Sequence, residues 1–262
     1  MKKIDLLHGD CLEVMKDIPD KSVDMILCDL PYGITACKWD EIIPFEPLWE
    51  QYNRIIKKNG AILLFGTEPF SSKLRMSNIK NYRYDWLWDK VVGSNFINAK
   101  KMPLRVFENI SVFYKKQPTY NPQMEERDKN KERPKTNSKA INEITNTRTT
   151  GSSTINKKKY PVNKIIFNRL SGELNSSCKS LHPTQKPVEL LEYLIKTYTN
   201  EGETVLDNCM GSGTTGVACV NTNRNFIGIE LDDKYFEIAK QRIERHMRQI
   251  SIFDLAKEST GR

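Results

Sequence analysis

The chain has 262 residues, 38% hydrophobic and 28% charged, so it is long enough to bury a sizeable core as one substantial domain. Its net charge of +8 suits a polyanionic partner without identifying one. No apolar run is long enough to span a membrane, and Met1–His8 carries an acid where a signal peptide is apolar, so we expect a cytoplasmic protein without a membrane segment. The six cysteines form no C-x-x-C pair, so we expect reduced thiols and no metal site.

Strands and helices are predicted to alternate over residues 1–116. The expected strands are Ile4–Leu7, Val23–Cys28, Ala61–Phe65, Tyr82–Lys90 and Glu108–Lys115. A turn at Gly9 enters a first helix, and a second, amphipathic helix over Phe45–Ile56 is stopped by Asn59-Gly60. This alternation predicts an α/β fold with a mainly parallel, twisted sheet and helices on both faces.

The apolar strand Val23–Cys28 ends in Asp29-Leu30-Pro31-Tyr32. In open α/β sheets, ligands bind at the carboxyl ends of the strands. A carboxylate, a fixed turn and a flat ring can together hold an exocyclic amino group and stack on its base. The competing interpretation of this short motif is a strand followed by a proline turn.

Residues 127–159 differ in composition from the rest of the chain. They contain ten Lys and Arg and three acidic residues, a net +7 of the chain's +8, and few aliphatic side chains. Such a segment cannot bury enough apolar area to hold itself folded. A solvated surface loop is the usual interpretation of such a charge run, and the alternative is an insertion that contacts nucleic-acid phosphates. Its candidate phosphate contacts are Arg127, Lys129, Lys131, Arg133, Lys157, Lys158 and Lys159.

The last third of the chain contains a glycine motif between two expected strands. Asp207 follows the strand Glu203–Leu206, and Gly211, Gly213 and Gly216 spell G-x-G-x-x-G before a helix that begins near Thr215. Glu230 follows a second strand, at a distance along the chain that is typical of a carboxylate accepting from ribose hydroxyls. The glycines alone would also fit a nicotinamide dinucleotide site, which has no use for the Asp29–Tyr32 corner.

A third motif, His182-Pro183-Thr184-Gln185-Lys186-Pro187, precedes an amphipathic helix with Val188, Leu191, Leu194, Ile195 and Tyr198 on one face. With these three motifs in this order, from Gly9-Asp10-Cys11 to Arg242, the chain resembles the S-adenosylmethionine-dependent DNA amino-methyltransferases of the β arrangement. In that family the catalytic motif precedes the cofactor motif. The resemblance implies a Rossmann-like methyltransferase fold with permuted motif order and a basic insertion.

The resemblance also implies roles for individual residues. Asp29 and the main-chain carbonyl of Leu30 would accept the hydrogens of the target amine, Pro31 would fix the turn, and Tyr32 would stack on a base flipped out of the duplex. Leu30 stands where the family usually has proline, and Asn208-Cys209 where it commonly has Pro-Phe. The residues implied in cofactor binding are Asp10, Cys11, Asp29, His182, Thr184, Lys186, Asp207, Cys209, Gly211, Ser212, Gly213, Thr214, Thr215 and Glu230. Among them, Thr184 and Lys186 would hold the methionine carboxylate, His182 would order its loop rather than act as a base, and a side chain at Gly213 would fill space reserved for the cofactor.

Four regions are expected from the resemblance. Residues 1–116 would form the catalytic half of the methyltransferase domain, 117–180 a partly flexible target-recognition insertion, 181–250 the cofactor-binding half, and 251–262 a C-terminal tail. The expected partner is double-stranded DNA. The family keeps its target-recognition region between the catalytic and cofactor motifs, so the resemblance favours a DNA-contacting insertion over a solvated loop for residues 127–159. Both a homodimer and a paired restriction endonuclease are left open.

The expected reaction is methylation of adenine N6. An aspartate at the head of the catalytic motif, and the adenine-type pattern in Arg105–Ile110, favour adenine over the N4 amine of cytosine. The alternatives are an N4-cytosine methyltransferase and a non-catalytic nucleic-acid-binding protein on a methyltransferase scaffold. RNA or protein substrates are not excluded by the sequence.

Overall fold

The computed structural model describes residues 3–33, 40–94, 96–127, 157–168 and 185–260, together with short strands at 141–142 and 147–148. The chain divides into two compact units. One unit combines the residues up to Asn121 with those from Asn163 onward, and the other is Pro122–Val162. Within the described ranges, no helix is both long and apolar enough to cross a membrane.

The larger unit is built on an eight-stranded sheet. Its strands are β1 (Ile4–His8), β2 (Val23–Cys28), β3 (Ile56–Gly66), β4 (Tyr82–Ser94), β5 (Arg105–Phe113), β10 (Lys164–Ile166), β11 (Thr204–Asp207) and β12 (Asn225–Glu230). Their order across the sheet is β1-β12-β11-β2-β3-β5-β4-β10. Every neighbouring pair is parallel except for the two pairs that involve β5, which runs against both β3 and β4. The mainly parallel sheet expected from the sequence is confirmed.

Helices cover both faces of this sheet. They are α1 (Cys11–Val14), α2 (Phe45–Ile55), α3 (Phe70–Ser77), α4 (Val188–Tyr198), α5 (Thr214–Asn221) and α6 (Asp233–Thr260). Successive side chains of a strand point to opposite faces, so Ala61, Leu63 and Phe65 of β3 pack into one core with α4, α5 and α6. The intervening Ile62 and Leu64 pack into a second core with α1, α2 and α3.

A topological switch point lies between the neighbouring strands β2 and β11. The chain passes from β2 through α2 to β3 on one side, and from β11 through α5 to β12 on the other. At such a switch point the two connections leave in opposite directions, and a crevice opens at the carboxyl ends of the strands. Asp29 directly follows β2, and Asp207 ends β11, so the two principal motifs meet at this crevice.

Several element boundaries differ from the sequence prediction. The second helix ends at Ile55, and Asn59-Gly60 lies inside β3 rather than in a turn that stops the helix. The reason is a bulge in the pairing of β3 with β2: a Cβ at position 60 would approach the carbonyl oxygen of Asp24 to 2.8 Å. Glycine therefore permits a close strand approach that local turn propensity does not reveal.

The C-terminal helix also crosses an expected boundary. Helix α6 continues across residue 250 to Thr260, so part of the segment expected as a tail is helical. Strand β10 falls inside the expected insertion 117–180 but pairs with β4 in the main sheet.

The smaller unit contains short antiparallel ladders. Strand β6 (Glu125–Glu126) pairs with β9 (Lys158–Lys159), and β7 (Ile141–Asn142) pairs with β8 (Thr147–Arg148). The ammonium of Lys159 lies 2.7 Å from a carboxylate oxygen of Glu125, which adds an ion pair to the ladder of β6 and β9.

Candidate active site

A cavity of about 960 Å³ opens at the carboxyl ends of β1, β2, β11 and β12. Its wall includes most of the residues implied as catalytic or cofactor-binding by the sequence. These are Asp10, Cys11, Asp29, Leu30, Pro31, Tyr32, Lys186, Asp207, Cys209, Gly211, Ser212, Thr214, Thr215 and Glu230. The fold therefore brings the catalytic corner and the glycine loop to one site, although they lie far apart in the chain.

The corner after β2 is held rigidly. The carboxylate of Asp40 accepts from the backbone amides of Tyr32 (2.7 Å) and Gly33 (2.9 Å), which fixes the turn that Pro31 begins. The Tyr32 hydroxyl donates to Oδ1 of Asp29 at 2.5 Å, and its ring packs on Phe70 with centroids 5.0 Å apart. Burial, with the nearby Asp29 charge, raises the pKa of Tyr32 well above its ordinary value, so the hydroxyl stays a donor.

The second oxygen of Asp29 is bound by Lys186, from the segment before α4. The Lys186 ammonium lies 2.6 Å from Oδ2 of Asp29 and 3.3 Å from a carboxylate oxygen of Glu108 in β5. Lys90 of β4 pairs with the other oxygen of Glu108 at 3.0 Å. Lys186 was expected to hold the carboxylate of a cofactor, yet in the structure its charge is directed at two carboxylates of the site.

The glycine loop after β11 is tied by carboxylates at both ends. Asp207 accepts from the amide of Cys209 at 3.1 Å and from the hydroxyl of Thr215 at 2.6 Å. Glu230 accepts from the amide of Gly211 at 2.8 Å and from the amides of Leu231 and Asp232 at 3.0 and 2.9 Å. These bonds set the loop conformation, in which Gly211 has a φ of +52° that favours glycine.

Gly213 lies close against helix α6. Its φ is +76°, and a Cβ placed there would lie 2.9 Å from Cβ of Ala239 and 3.0 Å from Cδ1 of Ile243. Both neighbours belong to α6. The glycine is needed because α6 packs against the loop, and the expected effect of a side chain at 213 on the cofactor stays a prediction.

Asn208 and Cys209, which replace the family's usual Pro-Phe, have partners of their own. The buried Tyr52 hydroxyl of α2 donates to Oδ1 of Asn208 at 2.6 Å, so the amide is held by the core rather than left open. Cys209 accepts from the side-chain amide of Asn208 at 3.6 Å and packs against the core that contains Cys11 and Cys28, and burial raises the pKa of Cys28 to about 12. The thiols at this end of the sheet are therefore protonated packing groups. Among the described residues no group of His, Cys, Asp or Glu is arranged to hold a metal ion.

Asp10 caps helix α1. Its Oδ1 accepts from the amide of Leu12 at 2.8 Å and from that of Glu13 at 3.4 Å. The turn after β1 thus borders the cavity, and Oδ1 of Asp10 accepts the hydrogen bonds of the cap.

The remaining residues implied by the sequence lie elsewhere. His182 and Thr184 fall outside the described residues, as do Lys129, Lys131 and Arg133. Lys157, Lys158 and Lys159 are exposed in the smaller unit, where the amide of Arg127 donates to the carbonyl of Lys157 at 2.8 Å. Their role in DNA binding stays a prediction.

Sequence reasoning missed several residues of the site. Glu108 and Lys90 sit on neighbouring strands at the cavity, Asp40 supports the catalytic turn, and the Gln185 side chain accepts from the hydroxyl of Ser212 at 3.3 Å. Arg242 of α6 donates to the hydroxyl of Thr214 at 2.9 Å and to Ser212 at 3.2 Å. A signal was available for Glu108, which lies in the Arg105–Ile110 segment already noted. Nothing local marks Asp40 or Lys90 as a buried partner.

The protonation of Asp207 gives a testable pH dependence. Burial raises its pKa from 3.8 to about 6, although bonds from Thr215 and the Cys209 amide oppose the shift. The pKa of Asp207 is higher in the folded protein than in the unfolded chain, so protonation of Asp207 stabilises the fold. This stabilisation is complete below pH 3.8 and is lost as the pH rises through about 6. Relative to wild type, Asp207→Asn should gain up to roughly 3 kcal/mol of unfolding free energy between pH 4 and pH 7. Denaturant unfolding of both proteins measures this, and a pH-independent difference would contradict it.

Comparison with known proteins agrees with this geometry. The model of the N6/N4 DNA methylase family matches residues 23–241, which include the catalytic corner, the segment before α4 and the glycine loop. The chain belongs to this DNA methylase family. It is 30% identical to the DNA adenine methyltransferase YhdJ of Escherichia coli (strain K12) over 274 residues, covering 98% of this chain and 88% of that protein.

Solved structures share the architecture. The M1.HpyAVI–SAM complex is 27% identical, with a TM-score of 0.61, and the match covers 92% of this chain and 98% of that one. The cytosine-N4-specific PvuII DNA methyltransferase has a TM-score of 0.62 at 14% identity, covering 95% and 93% of the two chains. The second likeness concerns the fold alone. The methylase family and its Rossmann-like fold, both expected from the sequence, are confirmed.

Proposed function

We propose that this chain is an S-adenosylmethionine-dependent DNA methyltransferase that methylates the N6 amine of adenine in duplex DNA. The observation that carries the proposal is that the Asp29 corner and the glycine loop line one cavity, in a chain of the DNA methylase family. A dinucleotide-binding enzyme would need the glycines but not a carboxylate fixed beside a proline and a tyrosine.

The cavity suits S-adenosylmethionine by its size and by its charge. Its volume of about 960 Å³ lies within the range of small-molecule sites, and Asp10, Asp29, Asp207 and Glu230 line it. Carboxylates favour a sulfonium cation, and Glu230, which has three amide donors on its roughly four lone-pair sites, keeps about one site on Oε2 for a ribose hydroxyl. When bound, the sulfonium supplies an activated methyl group. The similar M1.HpyAVI structure is a complex with SAM.

We infer that the chain's own contribution is to hold the target amine. An exocyclic amine is a poor nucleophile because its lone pair is delocalised into the ring, so two acceptors for its hydrogens are needed to aim the lone pair. Asp29 is one acceptor, and its carboxylate is fixed by Tyr32 and Lys186 on separate oxygens. The carbonyl of Leu30 is the other, and its position survives the loss of proline because Asp40 holds the following turn. Positioning of this kind can supply a large part of the rate.

Adenine is preferred to cytosine as the target. The DNA adenine methyltransferase YhdJ is 30% identical across nearly the whole chain, whereas the cytosine-N4-specific structure is only 14% identical. The aspartate at the head of the motif and the Arg105–Ile110 pattern favour the same target. N4-cytosine methylation is the second candidate, because both reactions need the same pair of acceptors.

The domain assignments form part of the proposal. We assign 1–116 to the catalytic half, 181–250 to the cofactor-binding half, and 117–180 to target recognition. The separate compact unit Pro122–Val162, inside that last segment, supports this division. Duplex DNA is the proposed partner, while a homodimer, a paired restriction endonuclease and a cytoplasmic location remain predictions.

Transfer of a labelled methyl group from S-adenosylmethionine tests the proposal. The wild-type chain should label unmodified duplex DNA and should leave RNA and protein unlabelled. Cofactor binding without label in DNA would contradict the enzyme assignment. Label in RNA or protein at a rate equal to that in DNA would contradict the substrate.

A further inference from the structure

A chain of alternating charges leads from the sheet to the catalytic aspartate. Lys90 of β4, Glu108 of β5, Lys186 before α4 and Asp29 after β2 follow one another at 3.0, 3.3 and 2.6 Å. Lys90 is 5% exposed and Lys186 is 9% exposed, so these charges are removed from water. Burying two lysines beside two partly buried carboxylates is costly unless each charge is paired, which indicates that their arrangement serves the site.

We propose that Lys186 is a positioning residue for Asp29, anchored by Glu108 and Lys90, and not a ligand of the cofactor's carboxylate. The inference rests on the proposed function and assigns a role within the same site. The Lys186 ammonium donates to Asp29, its charge also lies 3.3 Å from a carboxylate oxygen of Glu108, and the ring of Phe65 lies 5.1 Å from it on another side.

The strand pairing explains why this anchor is rigid. Glu108 lies opposite Trp88 in the antiparallel ladder of β4 and β5, which places the Lys90 side chain within reach of its carboxylate. The two ammonium groups hold the pKa of Glu108 below its ordinary value, against the effect of burial. Burial lowers the pKa of Lys186, but the paired carboxylates of Asp29 and Glu108 leave it raised overall. Both partners are therefore charged when the target amine enters.

The neighbouring residue links this anchor to the other half of the site. Gln185 accepts from Ser212 of the glycine loop, while Lys186 reaches Asp29. Two adjacent residues thus divide their hydrogen bonds between the cofactor loop and the catalytic corner. This division predicts that substitutions at 186 affect the chemical step rather than cofactor affinity.

Single-turnover transfer and cofactor titration test this assignment in the full chain. Lys186→Met should slow transfer at saturating cofactor and DNA by at least about 100-fold while changing the dissociation constant of S-adenosylmethionine by less than about threefold. Lys196→Met, which removes an exposed lysine of α4 paired with Glu192 at 3.4 Å, is the matched control and should match wild type.

A double variant separates positioning from simple loss of charge. In Lys186→Met the charges of Glu108 and Asp29 face each other without a cation between them. Adding Glu108→Gln removes one of these two charges and should restore part of the rate. Weaker cofactor binding that accounts for the whole defect of Lys186→Met, or no effect on rate, would overturn the assignment. An inactive wild-type protein that binds S-adenosylmethionine would contradict the proposed function instead.

A second, independent observation concerns the loop that joins β4 to β5. Its apolar side chains are exposed, with Phe96 at 64%, Ile97 at 97% and Met102 at 46%, and Val92 near the end of β4 is also exposed. The sequence from Lys90 to Phe107 contains four Lys or Arg and no acid, and Lys100, Lys101 and Arg105 are exposed. An apolar tip with basic flanks is unusual for a merely solvated loop.

The loop has a defined shape and a defined place. A helical turn at Phe96–Asn98 is followed by bonds from the amides of Lys101 and Met102 to the carbonyl of Asn98, at 2.8 and 3.0 Å. At its base the hydroxyl of Ser94 donates to the carbonyl of Arg105 at 3.1 Å. Ser94 and Arg105 also line the active-site cavity, so the loop rises from the cavity's wall.

We infer that this loop contacts duplex DNA, with Lys100 and Lys101 on phosphates and Ile97 inserted beside the target base. A base can reach Asp29 only if the duplex lies over the cavity, and apolar side chains inserted between base steps offset part of the cost of unstacking the flipped base. This inference also rests on the proposed function.

Binding to unmodified duplex DNA across salt concentrations, together with methyl transfer, tests the loop. Lys100→Ala/Lys101→Ala should reduce the salt slope by about 1 for each phosphate that is no longer bound, and Ile97→Ser should leave the slope unchanged. Ile97→Ser should slow transfer by at least about tenfold. The control Ile79→Ser, at an exposed isoleucine outside this loop, should match wild type.

Unchanged transfer in Ile97→Ser, or an unchanged slope in the lysine variant, would overturn the inference. So would a dimer in wild type that Ile97→Ser converts to a monomer in sedimentation, because the patch would then be an interface between copies. A wild-type protein that binds DNA but does not methylate it would contradict the proposed function, while the salt slopes of the two proteins would still test the lysine contacts.

Discussion

Asp29→Ala is expected to abolish methyl transfer while leaving cofactor affinity nearly intact. The Asp29 carboxylate is bound by the hydroxyl of Tyr32 and the ammonium of Lys186, and in the proposed reaction it accepts from the target amine. Its loss removes one of two acceptors that aim the lone pair, so turnover should fall by at least about 100-fold. Single-turnover assays and calorimetric titration with S-adenosylmethionine measure the two effects separately.

Asp29→Asn is the matched variant, since it keeps the shape and one acceptor oxygen but loses the charge paired with Lys186. It should retain more activity than Asp29→Ala. If cofactor affinity falls in both variants as steeply as turnover does, Asp29 is a cofactor ligand and the division of labour at the site is contradicted.

Gly213→Ala is expected to destabilise the cofactor-free protein strongly. The substitution places a methyl group 2.9 Å from Cβ of Ala239 in α6, at a φ of +76° that L-residues rarely adopt. Backbone strain and overpacking together should cost roughly 2–4 kcal/mol of unfolding free energy. Denaturant unfolding monitored by circular dichroism measures the loss.

Gly202→Ala separates the two contributions. Gly202 has a φ of +81° but nothing within 4 Å of the Cβ position, so only backbone strain applies and the cost should be about 1–2 kcal/mol. Equal costs at the two positions would show that the packing against α6 is unimportant. If Gly213→Ala leaves the unfolding free energy unchanged and only weakens cofactor binding, a side chain at 213 fills cofactor space, as the sequence suggested.

Local sequence patterns predicted the framework of the site because each motif ends a strand. The apolar run before Asp29 and the glycines after Asp207 are local signals. Because β2 and β11 are parallel neighbours, the residues that follow them lie at the same edge of the sheet, although they are far apart in the chain. For a similar reason the amphipathic helix after the His182–Pro187 motif was predicted, since its hydrophobic period is uninterrupted, and the structure has it at Val188–Tyr198.

The roles of individual side chains were harder to predict, because they depend on partners from distant strands. Lys186 was expected to bind the cofactor, which stays untested, and no local pattern reveals its ion pairs with Asp29 and with Glu108 of β5. Gly213 follows a familiar motif, yet its closeness to Ala239 arises from the return of α6 over the loop. The break at Asn59-Gly60 failed as a turn signal because pairing with β2 outweighed local propensity.

Mass spectrometry of nucleosides tests the central claim most directly. Unmodified duplex DNA incubated with the wild-type chain and S-adenosylmethionine is digested, and the methylated nucleosides are identified against a reaction with Asp29→Ala. We expect N6-methyladenine in the wild-type reaction and none in the variant. N4-methylcytosine as the sole product would contradict the choice of adenine, and the absence of any methylated nucleoside would contradict the enzyme itself.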